Sequence, residues 1–115
     1  MGPVKAKGRV LVVLCTFPDE EKARQVGTAL VERQLAACVN IVPEMRSIYR
    51  WEGKICEEGE VLGLCKTTGE RLEALKEALE ELHPYEVPEI IAIPVEGGSE
   101  SYLQWVLREA GGPGS

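Results

Sequence analysis

The sequence predicts an α+β domain of the βαββαβ type, in which two strand-helix-strand units are joined through a hairpin. Three observations carry that prediction. The chain repeats itself: Val12-Val13-Leu14-Cys15-Thr16 is answered by Leu62-Gly63-Leu64-Cys65-Lys66 fifty positions later, and Val42-Pro43 by Ile93-Pro94 at fifty-one. Within each half the hydrophobic pattern runs from strand to helix and back to strand. With 115 residues, of which 44% are hydrophobic and 28% charged, the chain has the size and composition of one folded core. Two such units with both helices on one sheet face make a ferredoxin-like sandwich, here with an extra C-terminal helix. The domain is expected to occupy residues 9–110, and the short ends 1–8 and 111–115 are expected to be flexible.

Each element has its own justification. Val10-Leu11-Val12-Val13-Leu14-Cys15 is a continuous apolar run, which predicts a central strand covered on both faces. Asp19 is placed to cap the next helix, with Glu20 and Glu21 at the positive end of its dipole. Ala23, Val26, Ala29, Leu30 and Val31 recur at spacings of three and four, giving a buried stripe that ends near Gln34. Ala36 to Val42 reads as the second strand, and Ile48, Tyr49 and Trp51 extend strand character to Glu52-Gly53, a two-residue hairpin turn. Lys54 to Lys66 returns as the partner strand. Thr67-x-x-Glu70 has the form of a capping box, and Leu72, Leu75, Leu79 and Leu82 make a second helical stripe that Pro84 ends. Glu89 to Val95 is the fourth strand, and Ser99 to Glu109 a short helix that packs Tyr102, Val106 and Trp105.

The hairpin is too long for the globule that carries it. Arms of about fourteen residues span roughly 45 Å, whereas a globule of this size is roughly 35 Å across. The surplus projects and carries Ile48, Tyr49, Trp51 and Ile55 away from any core of its own, so a closed homo-oligomer is expected to cover it. A hairpin bent back at Pro43 is the alternative, because proline breaks a ladder and marks bulges or edges.

Charge and composition exclude several classes. A net charge of -6 with scattered Lys and Arg disfavours nucleic acid. No apolar run is long enough for a membrane span, and the first residues carry no export signal, so a cytoplasmic location is expected. Cys15, Cys38, Cys56 and Cys65 show no C-x-x-C spacing and are expected to be reduced thiols rather than zinc ligands or disulfides. No Ser-His-Asp or Cys-His arrangement, G-x-S-x-G or P-loop can be read from position, and Thr16-Phe17-Pro18-Asp19 lacks the phosphate-holding arginine of acylphosphatases, which share this topology. The chain is therefore read as not an enzyme.

Four ordered segments resemble the CutA divalent-cation tolerance family: Leu35-Ala36-Ala37-Cys38-Val39-Asn40 with Pro43, Ser47 to Lys54, Lys66-Thr67-Thr68, and His83-Pro84-Tyr85-x-x-Pro88-Glu89-Ile90. The resemblance spans about residues 9 to 109. It implies a ferredoxin-like cytoplasmic homotrimer, similar in architecture to PII signalling proteins and linked to tolerance of copper and other divalent metal ions. It also implies copper ligands at Cys15 and His83, with Leu82 standing where some members carry a second histidine. No cofactor is expected to be required, although copper or another divalent cation is an expected ligand. Trp51, Glu60, Lys66 and Tyr85 match positions that the resemblance places around a cleft between subunits. Because Lys66 closes a strand ahead of a helix N-terminus, a small anionic ligand is expected there under an alternative PII-like signalling or scaffold reading, whose long hairpins would meet an unidentified protein partner. Glu58 and Glu60 share a strand face and, with Glu57, either offer oxygens to a hard cation or pair with Arg46 and Arg50 across the hairpin.

Overall fold

A single β-sheet, seen in a computed structural model that describes residues 8–111, organises the chain. Its elements in order are β1 (Val10–Phe17), α1 (Glu20–Glu32), β2 (Cys38–Trp51), β3 (Lys54–Thr68), α2 (Leu72–Leu82), β4 (Ile90–Pro94) and α3 (Glu100–Glu109). The sheet order is β2-β3-β1-β4, and every neighbouring pair is antiparallel. This is the split βαβ arrangement that the internal repeat predicts. The ends expected to be flexible lie outside the described residues, except for exposed Gly8 and buried Gly111.

Alternation along the strands decides what each face meets. Val13, Cys15 and Phe17 of β1, with Val61 and Cys65 of β3, point beneath α1 and α2 and join Ala23, Val26, Leu30, Leu75, Ala78 and Leu79 in the main core. Each fully buried leucine there stabilises the fold by about 1.5–3 kcal/mol. Gly27 lets α1 approach β2 closely, since a Cβ at that position would stand 3.2 Å from Val39 Cγ1. The opposite face is covered only at one end, where α3 brings Val106 and Ala110 onto Val10 and Ala37. Val12 and Leu14 are therefore only half-buried, so within one subunit the first strand is not covered on both faces as expected. Val31 is likewise exposed rather than part of the α1 stripe.

The caps follow local chemistry. Asp19 accepts a hydrogen bond from Lys22 N at 2.7 Å and starts α1. At its other end Gln34 turns left-handed with φ 59°, and Gln34 N and Leu35 N donate to Val31 O and Leu30 O, satisfying the last carbonyls. The capping box expected at Thr67 does not form. Residues 67 and 68 remain in β3, where the Thr67 hydroxyl donates to Leu35 O at 2.7 Å and the Thr68 hydroxyl to Ala110 O at 3.1 Å. Those buried bonds hold the strand two residues longer than expected, and α2 starts after Arg71 without a side-chain cap.

β2 runs through Pro43 instead of bending back. Val42 faces Leu62 and Met45 faces Glu60, so Pro43 and Glu44 together oppose Val61 in a bulge, with Glu44 at φ 60°. The proline sits at the irregularity of an edge strand, where no ladder bond is asked of its nitrogen. The turn at Glu52 and Gly53 has φ 49° and 80°, the left-handed pair that a two-residue hairpin requires. The long arms stretch the molecule to 46 × 31 × 23 Å.

Candidate functional site: a groove at the root of the hairpin

Where the hairpin leaves the globule, its open face and the loop after α2 enclose a groove of about 640 Å³. The bulge decides which side chains enter it. Beyond the extra residue, Met45, Ser47, Tyr49 and Trp51 lie on the same face as Glu58 and Glu60, opposite the face that α1 and α2 cover nearer the core. His83, at the end of α2, pins the other wall. Its Nε2 donates to Thr16 O at 2.5 Å, its Nδ1 accepts from Tyr85 N at 3.2 Å, and its ring stacks on Phe17 at 5.0 Å. Burial holds this imidazole below its ordinary pKa, so it is neutral with both nitrogens engaged.

Pinned in this way, Tyr85 donates its hydroxyl to Glu60 Oε2 at 2.7 Å, and Tyr49 donates to Glu58 Oε1. Both phenols are held in their protonated form. For Tyr49 the hydrogen bond to Glu58 pushes the pKa up to about 12; for Tyr85 burial leads and the Glu60 bond adds to it. Glu86 and Glu89 add two more carboxylates, and among the described residues no lysine or arginine lines the groove.

The groove is lined by Trp51, Glu60 and Tyr85, three of the residues that the resemblance places around a cleft between subunits, together with Tyr49, Glu58 and Glu86, which the sequence reading did not place there. Lys66 is not among them. It sits six residues along β3 from Glu60, and its Nζ donates to Asn40 Oδ1. It also lies well before the N-terminus of α2 at Leu72, so the expected anion site has no helix end beside it. Of the two readings of the hairpin carboxylates, Glu57 pairs with Arg46 at 3.3 Å on the far face, while Glu58 and Glu60 share the groove face.

A profile of the CutA1 divalent ion tolerance protein family matches residues 11–109, nearly the whole described chain. The chain belongs to this family. The CutA protein of Thermus thermophilus, named a divalent-cation tolerance protein, is 53% identical over 100 residues, covering 87% of this chain and 97% of that one. Human CutA is 48% identical over 101 residues, and there the match covers only 56% of the longer protein. Among solved structures, CutA1 from T. thermophilus superposes with a TM-score of 0.83 at 54% identity, covering 84% of this chain and 94% of that one. CutA from Xylella fastidiosa gives 0.86 at 39% identity, with coverages of 89% and 98%. The family and its T. thermophilus member are named for tolerance of divalent ions and not for a catalysed reaction.

The copper ligands implied by the CutA resemblance do not fit a resident metal within one subunit. Cys15 is fully buried on the helix-covered face, and burial pushes its thiol far above the ordinary range, away from the thiolate a metal needs. His83 has no free nitrogen lone pair, because Nδ1 already accepts from Tyr85 N and Nε2 carries the proton donated to Thr16 O. Among the described residues no group of three or more His, Cys, Asp or Glu is arranged to hold an ion. All four CutA cysteines are free thiols.

Proposed function

We propose that this CutA family member acts in the cytoplasm as a non-catalytic homotrimer in the response to divalent metal ions, copper among them. The observation that carries the trimer is the uncovered sheet face. Val12, Leu14, Leu62 and Leu64 are half-buried there, while Val42, Ile91 and Ile93 are more than two-fifths exposed at 42%, 50% and 45%. An apolar stretch of that kind on a sheet with a projecting hairpin calls for copies of itself, and a closed ring satisfies each copy alike. Light scattering is expected to give three times the chain mass across a wide dilution range; a concentration-independent single chain overturns the assembly.

Divalent ions enter this reading through the family's name. Since Cys15 and His83 are both committed to the fold, copper is expected to meet the trimer on groups other than this pair. Calorimetric titration of the Cys15→Ala protein with copper should therefore reproduce the parent isotherm, and a lost binding event would restore Cys15 as a ligand. Under the PII-like alternative, Lys66 would hold the small anion with the protons its ammonium does not donate to Asn40 Oδ1.

A further inference from the structure

We draw no further inference here: the strongest candidate, the acidic and aromatic groove at the root of the hairpin, lies on the face that neighbouring copies cover in the proposed trimer, and nothing in the structure shows which of their groups fill it.

Discussion

At the scale of the residue, positions that look ordinary in the sequence carry distinct physical tasks. Gln34 adopts a left-handed conformation that costs a side-chain-bearing residue about 1 kcal/mol relative to glycine, and its own side chain is exposed. Gln34→Gly is therefore expected to stabilise the protein by up to about 1 kcal/mol, read as a rise in denaturant midpoint with an unchanged slope. Gly63 is the opposite case. A Cβ there would stand 2.9 Å from Phe17 Cε2 and 3.4 Å from Cys15 O, so Gly63→Ala is expected to cost about 1–3 kcal/mol by overpacking. His83 titrates with a defined sign. Its pKa is lowered on folding from 6.5, chiefly by burial, so the unfolded chain binds the proton more readily. Stability is full above about pH 6.5 and is lost as pH falls through the depressed value. Melting temperature should decline in that acid window, and His83→Gln, lacking the titration, should flatten the decline.

At the scale of the element, the bulge in β2 has the largest reach. Side chains in a strand alternate, so one additional residue reassigns every position beyond it. Deleting Glu44 is expected to move Tyr49 and Trp51 off the groove face and to change Trp51 fluorescence, while the main core under α1 and α2 persists with its far-ultraviolet circular dichroism. The bulge also marks where the sequence was legible and where it was not. Pro43 announced an irregularity, and the hydrophobic periods announced each strand and helix. The extra residue was hidden because it depends on pairing with β3, which local pattern does not encode. Thr67 misled for a related reason. Its spacing from Glu70 satisfies a capping pattern, but the hydroxyl finds a buried carbonyl thirty-two positions earlier and stays in the strand. Tyr49 was missed, and Glu58 was read only as a cation or ion-pair candidate and not as part of the cleft, because their partnership crosses the hairpin, although their two-residue spacing from Trp51 and Glu60 was a usable signal.

At the scale of the molecule, the long hairpin makes size and assembly inseparable. The 46 Å axis matches the reach expected of the arms, and Ile48 and Ile55 at 71% and 66% exposure have nothing to pack on within one chain. Replacing residues 46–57 by a two-residue turn is expected to lower the assembled mass in light scattering, because each copy would lose the arm that reaches its neighbour. The two threonines that close β3 have a further consequence. Consecutive residues of one strand point to opposite sides, and here one is tied to the chain before β2 while the next is tied to the last helix. Amide protons around residues 66–68 should exchange with deuterium among the slowest in the subunit, and those at the hairpin tip among the fastest. Heat should accordingly loosen the chain from the tip inward, with the doubly fastened end of the strand the last part to let go.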